Sequence, residues 1–466
     1  MAFSKLLIVG LDSAAPALVF DRWRSAMPTL SDLMARGAHA RMLSTNPPIT
    51  VPAWTAMMSS HDPGELGVYG FRNRKDHSYD GYSFANASQV KVPRLWDWLG
   101  RAGMHSVVLG VPQTYPPSPI NGEMVTCFLT PSTKSEYTYP PELKTEVERI
   151  TNGYVLDVED FRTADKANLL KRVYEKTDKH LALAKHLLET RSWDFFMLVE
   201  MGLDRIHHGF WSHMDPAHHK YEKGNPFESA IFDYHRHIDR QLGEMLALCP
   251  KDTLVLVVSD HGSKKMDGGI CFNEWLMRER YLTLTDPPTK PTPIGRATID
   301  WSRTKAWGDG GYYGRLFLNV KGREPAGTIA PGDYERVRND LIAGIEAISD
   351  PSGRNIGSKA YRPEDIYRTV NGVAPDLIVY FGDLDWRSVG AVGMGGIYTF
   401  ENDTGPDEAN HDWHGIFVLS TNGVVAPLRG ELPDVSIYDI APTLLSLLGQ
   451  PVPEGLAGKP LANLNS

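Results

Sequence analysis

The chain has 466 residues, 42% of them hydrophobic and 23% charged, with a formal net charge of -9. That length exceeds one small domain and leaves room for a large α/β core plus an accessory region, in a composition ordinary for a globular protein. The negative balance excludes a broad nucleic-acid footprint, so no nucleic-acid polymer is expected as a partner, and an anionic substrate needs a locally positive site.

The first apolar run, at residues 6–9, is continuous rather than alternating, which predicts a buried parallel strand. It follows neither a long hydrophobic stretch nor a cleavage site, and nowhere is there a run long enough to span a bilayer. A cytoplasmic protein with no membrane partner is expected. The run leads to Asp12. A helical pattern follows at 27–36, then NPPITVPAWTAMMSS at 46–60. Pro52 suits a first helical turn, which puts Thr50 at a positive helix end, where free backbone N–H groups bind phosphate. Helices are predicted at 92–102, 166–190 and 226–248, and strands at 106–110, 195–199, 254–258 and 415–419. Asp204 and His208 follow the strand at 195–199, and Asp260 with His261 follows that at 254–258.

Between residues 283 and 402 the texture changes. The stretch opens on TDPPTKPTPIG and carries strands at 314–319 and 376–381 and a helix at 334–349. It reads as an inserted cap subdomain, lying over the strand ends and lining one wall of the substrate cleft. The core is then 1–282 with 403–466: an α/β fold with a mostly parallel central sheet flanked by helices. Cys127, Cys249 and Cys271 fit no thiolate metal spacing and are expected to be buried or incidental thiols.

In parallel sheets, ligands bind beyond the carboxyl ends of the strands. Asp12, Asp204 with His208, and Asp260 with His261 therefore converge on one edge from separate parts of the chain. Asp204 and His208, at i and i+4, share one face of a helical turn. His414, just before the strand at 415–419, completes three carboxylates and three imidazoles, although His411 competes with it in HDWH. Such a set suits two divalent ions of the Zn or Mn type, Zn first, and the lack of thiolates excludes a sulfur-rich structural site. Two such ions outweigh the three carboxylates and leave a net positive centre for an anionic phosphate.

These residues carry a resemblance. GLD at 10–12, PPITVPAWT at 47–55, SDHG at 259–262 and the His414-Gly415 pair resemble the alkaline phosphatase superfamily, and within it the type I phosphodiesterase/nucleotide pyrophosphatase group. Asp204-x-x-x-His208, FNEWL at 272–276, APDLIVYF at 374–381 and DIAPTLLSLLG at 439–449 extend the likeness over most of the chain. The resemblance implies an alkaline-phosphatase-like fold, one ion held by Asp12, Thr50, Asp260 and His261, and a second held by Asp204, His208 and His414. It further implies a metal-dependent phosphoric ester hydrolase in which Thr50 attacks phosphorus of a small phosphorylated substrate and a covalent phosphothreonine forms. Where relatives carry Thr-Gly-x-x-Pro-x-x-His-Gly after the nucleophile helix, this chain has Ser60 for the glycine and Leu66 for the histidine. A formylglycine sulfatase is excluded, because Thr50-Val51-Pro52-Ala53-Trp54 lacks both the cysteine or serine and the arginine it needs. A phosphomutase would share the metal centre, and a catalytically silent metal-binding scaffold is the non-enzymatic alternative. Lys264, Lys265, Arg72 and Arg205 are the candidate substrate cations.

Overall fold

The computed structural model describes residues 3–461. Its centre is a ten-stranded sheet. In chain order the strands are β1 (Leu6–Leu11), β2 (Ala38–Leu43), β3 (Ser106–Leu109), β4 (Gly122–Val125), β5 (Thr138–Tyr139), β6 (Phe195–Glu200), β7 (Leu254–Val258), β8 (His414–Thr421), β9 (Gly430–Glu431) and β10 (Val435–Ser436). Across the sheet they run β9-β2-β8-β7-β1-β6-β3-β4-β5, with β10 also on β2. β1, β3, β6 and β7 are parallel, as their continuous apolar runs predict, and β4, whose sequence GEMV has no such run, pairs parallel with β3.

Those runs are apolar throughout because both faces are covered. Side chains alternate across a strand, so each run divides between two cores. Leu7, Val9 and Leu11 of β1 join Phe196, Leu198, Val255 and Val257 on one face. Leu6 and Ile8 join Phe195, Met197, Leu254 and Leu256 on the other. The first face is covered by α1 (Pro28–Arg36), α3 (Lys166–Thr190), α4 (Gly202–Met214) and α5 (Ala230–Ala247). The second is covered by α2 (Thr50–Ser59) and the helices Leu95–Arg101 and Ile440–Leu447.

One strand departs from expectation. β8 is antiparallel to both β7 and β2, not parallel. An apolar run reports burial on two faces and carries no information on direction. The consequence is functional: an antiparallel strand presents its N-terminal end at the edge where its neighbours present their C-terminal ends.

A third core is built from residues between 270 and 392. A four-stranded sheet (Ala306–Asp309, Gly314–Leu318, Lys359–Tyr361, Leu377–Tyr380) packs with the helix Tyr334–Glu346. This core starts before the proline-rich break at 283. Ile270, Phe272, Trp275 and Leu276 already lie in it, and the strand Gly268–Cys271 pairs with Trp386–Val389 and Tyr398–Thr399. Proline marks a change of texture, whereas apolar packing decides where one core ends. This region reaches the segment that leads into α2: the Tyr367 hydroxyl donates to Asn46 O at 2.6 Å, and Tyr380 donates to Asn46 Oδ1 at 3.3 Å. The three cysteines are buried and unpaired. No helix among the described residues is long and apolar enough to cross a membrane.

Gly10 ties this framework to the residues beyond β1. A Cβ there would lie 2.5 Å from Trp54 Cη2, so the buried indole of α2 lies across the strand only because position 10 is bare. Trp54 Nε1 in turn donates to Asp12 Oδ2 at 2.7 Å. Gly10→Ala is expected to lower the unfolding free energy by about 1–3 kcal/mol, the usual cost of overpacking a filled core. Urea unfolding measures this, and unchanged stability would show that the indole can move aside.

Candidate active site

Three parallel strands and one antiparallel strand deliver the site. Asp12 follows β1 and is fully buried. Asp204 and His208 lie one turn apart on α4, straight after β6. Asp260 and His261 follow β7. Thr50 is the first residue of α2, whose N-terminus has no side-chain cap; the first helical bond runs only from Ala53 N to Ile49 O. The amides of Thr50 and Val51 thus precede the helical ladder at the positive end of the helix dipole.

The fourth element brings in His411 rather than His414. The short strand Ala409–Asp412 pairs antiparallel with Gly262–Lys265, placing His411 opposite Ser263. His411 is buried, and its ring stacks on His261 at 3.8 Å. His414 already lies in the β8 ladder opposite Leu43. Its side chain is 34% exposed, and its Nε2 faces Asp434 at 3.3 Å. The structure thus brings His411 to the cluster and leaves His414, expected there, outside it: strand alternation points position 414 away.

The donor atoms form two groups sharing His261. Asp12, Asp260 and His261 offer one set of mutually close atoms, and Asp204, His261 and His411 another. Thr50 Oγ1 is 3.3 Å from His261 Nε2, which is 3.2 Å from Asp260 Oδ2 and 3.8 Å from Asp12 Oδ1. Asp204 Oδ1 is 3.2 Å from His208 Nε2 and 3.8 Å from His411 Nε2. Outside the cluster every imidazole is pinned. Nδ1 of His261 donates to Gly262 O at 2.9 Å, and that of His411 to Pro48 O at 2.8 Å. Nδ1 of His208 donates to Asp407 Oδ1 at 2.8 Å. A carbonyl oxygen can only accept, so Nδ1 carries a proton in His261 and His411, and Nε2 of each ring faces the cluster.

Burial lifts the carboxyl pKa values of Asp12 and Asp260 well above the usual range, and repulsion from Asp204 adds to both. For Asp204 burial acts in the same direction, but His208 and Arg205 outweigh it and hold the carboxyl low. Burial opposes charge on His208, yet Tyr312, Asp407 and Asp204 raise its pKa. Burial lowers His411 well below its ordinary value. Two carboxylates at one site with raised pKa values form an electrostatic sink that a divalent cation would satisfy.

The candidate substrate cations separate. Lys264 is held by Asp385 at 3.0 Å, with Asp383 and Asp412 nearby, and Lys265 pairs with Asp267. Arg72 is exposed and lies over the Phe84 ring. Arg205 alone touches the cluster: it binds Asp204 and holds Asp157 at 2.7 Å, between the rings of Phe128 and Phe161. Asp407, Arg162, Arg387 and Tyr312 also surround the centre. No local pattern marks them, because their roles depend on contacts far apart in sequence. His411 was visible as one of two histidines in HDWH. Leu66, which replaces the relatives' histidine, packs with Val51, Ala56 and Val68 beneath α2.

His411→Ala is expected to reduce bound divalent metal, measured by elemental analysis of protein dialysed against zinc, while His414→Ala retains the wild-type content. The opposite result would return the ligand role to position 414.

The family described as type I phosphodiesterase / nucleotide pyrophosphatase matches residues 6–415. Two solved structures share the fold. Human ectonucleotide pyrophosphatase / phosphodiesterase 5 aligns with a TM-score of 0.57 at 13% identity, over 99% of this chain and 100% of its own. An inactive threonine-to-alanine variant of the murine protein, in complex with AMP, aligns with a TM-score of 0.54 at 12% identity, over 97% of this chain and 96% of its own. No curated protein matches significantly in sequence. With a family match running from β1 to the start of β8 and an alkaline-phosphatase-like fold beneath it, the chain belongs to the type I phosphodiesterase / nucleotide pyrophosphatase family and is a phosphoric ester hydrolase.

Proposed function

We propose that this hydrolase cleaves a phosphodiester or pyrophosphate bond of a nucleotide-like small molecule, using Thr50 as nucleophile and two divalent ions. One observation carries the reading. Asp12 Oδ1, Asp204 Oδ1, Asp260 Oδ2, His208 Nε2 and His411 Nε2 are buried without a hydrogen-bond partner, and all five are donor atoms of the cluster. Asp204 Oδ1 and His208 Nε2 are close but lack hydrogen-bond geometry. Unsatisfied buried atoms cost about 1–3 kcal/mol each, so their concentration at one place fits ligands better than structural groups.

Asp12, Asp260, His261 and Thr50 would hold one ion, and Asp204, His208 and His411 the other. Nitrogen and oxygen donors without thiolate fit zinc first and manganese second. When bound, the ions supply positive charge opposite the phosphate oxygens and make a neighbouring hydroxyl more acidic. The chain's own groups do the rest. The amides at the start of α2 would face a bound phosphate, and His261, whose Nε2 is 3.3 Å from the Thr50 hydroxyl, would hold Thr50 for attack on phosphorus. The Thr50 hydroxyl loses its proton to solvent as its oxygen bonds to phosphorus, and the bond to the leaving oxygen breaks, that oxygen departing with its electron pair and taking a proton from solvent. Water then attacks phosphorus from the side opposite Thr50, the bond from phosphorus to the Thr50 oxygen breaks, and a proton from that water restores the hydroxyl.

A diester or pyrophosphate is favoured over a monoester by the state of the cations. Lys264 and Lys265 are neutralised by aspartates, and Arg205 is already balanced by Asp157 and Asp204. None is free to meet the additional charge of a monoester. The AMP bound by the murine structural neighbour agrees with a nucleotide as substrate.

Assay of nucleotide pyrophosphates, aryl diesters and aryl monoesters is expected to rank them in that order and to release free product rather than an isomerised phosphate, which a mutase would give. Thr50→Ala is expected to lose turnover by about three orders of magnitude or more while keeping the fold. Thr50→Ser should retain measurable activity, and acid quenching should trap phosphate on the peptide containing Thr50. Near wild-type turnover by Thr50→Ala would mean that water attacks directly.

A further inference from the structure

The insertion reaches the centre through Tyr312, in the turn between the strands Ala306–Asp309 and Gly314–Leu318. Its ring stacks on His411 at 4.2 Å and 25°, and on His208 at 4.7 Å and 19°. His411 is thereby sandwiched between Tyr312 and His261. The Tyr312 hydroxyl accepts from Arg162 at 2.6 Å and donates to Asp407 Oδ2 at 3.2 Å. The other oxygen of Asp407 orients His208. The Tyr312 carbonyl accepts from Asn410, the neighbour of His411, at 3.3 Å.

The turn that carries this ring is stiff. Gly311 and Ser388 exchange backbone hydrogen bonds of 2.8 and 3.0 Å. A Cβ at Gly310 would lie 2.3 Å from Gly390 N, so the two chains approach as closely as glycines permit. Tyr312 is a fixed plate against two imidazoles that come from separate elements, α4 and the strand Ala409–Asp412. Asp12 and Asp260 have no equivalent contact: their supports are Trp54 and the Ser13 amide, both in the core.

We propose that Tyr312 is a positioning residue through which the insertion completes one of the two ion sites, that of Asp204, His208 and His411. This rests on the reading of those three side chains as ion ligands. Ion binding there depends on the insertion being docked, and by linkage the ion strengthens the docking. Asp12 and Asp260 of the other site are held by Trp54 and the Ser13 amide and make no contact with Tyr312 among the described residues, so that site does not share this dependence. The insertion thus acts on the metal centre as well as forming a wall beside it.

Calorimetric zinc titration of chelated, full-length protein tests this, with His411→Ala marking which binding event belongs to the second site. Tyr312→Leu is expected to weaken that event about 10–100-fold, the usual effect of removing a group that orients a ligand, and to leave the other unchanged. Tyr312→Phe keeps the plate and is expected to bind close to wild type. Thermal unfolding in chelator checks that each variant folds, and Tyr312→Met, which fills the volume without a flat face, replaces the leucine variant if that fails. Wild-type affinity at both sites in the leucine or methionine variant overturns the proposal. If His411→Ala binds zinc as wild type does, the ligand reading itself fails, and the proposal with it.

Discussion

The structure depends on the convergence of buried, mutually repelling carboxylates at one sheet edge. Asp12, Asp204 and Asp260 are all shielded from solvent. Among the described residues, Asp204 alone of the three has a guanidinium in contact, that of Arg205, which is shared with Asp157. Burying charge without compensation is expensive, so the surroundings must be held rigidly by interactions that do not themselves neutralise it. Much of the local architecture follows from that demand. Trp54 clamps Asp12, the Ser13 amide donates to Asp260 at 3.2 Å, and each imidazole is locked from its outer nitrogen.

The sheet order supplies the convergence. β6, β1 and β7 are adjacent and parallel, so the loops after them emerge side by side. β8 next to β7 breaks the parallel series, and that reversal lets a segment from near the end of the chain arrive at the same edge. With β8 parallel, residues 409–412 would lie at the opposite end of the sheet. An antiparallel strand is thus the topological device that allows the chain to return to the same Asp/His cluster after the residues of the third core.

This explains what could be read in advance. Asp12, Asp204, His208, Asp260 and His261 each follow a strand or share a helical turn, so local periodicity located them. Thr50 was legible from its distance to Pro52. The histidine of HDWH was not decided by such reasoning. His411 and His414 are both near the start of β8, and only the pairing of Ala409–Asp412 with Gly262–Lys265 separates the buried one from the exposed one. Asp407 and Tyr312 lay further out of reach. Each acts through a partner about 100 to 200 residues distant in sequence, and a carboxylate or phenol carries no local mark of that purpose.

The segment after α2 shows how a departure from the relatives' pattern is absorbed. Ser60 stands where a glycine is usual, and its backbone is left-handed, with φ of 52°, the conformation a glycine adopts without strain. Its hydroxyl donates to Tyr438 O at 2.7 Å and accepts from Gly458 N at 3.0 Å. The segment around Tyr438 and Gly458 is thereby tied to the end of α2, a link glycine could not make. Leu66 stands where a histidine is usual and packs against Val51 and Ala56, on the buried side of the same helix. Both substitutions therefore act on the placement of α2 rather than on the donor set. An apolar side chain in place of a polar one removes a buried hydrogen-bonding requirement beneath the helix that carries Thr50, and the serine adds a fixed contact at its far end. The helix is held at both ends by groups outside the Asp/His cluster, which fixes the position of Thr50 at its start.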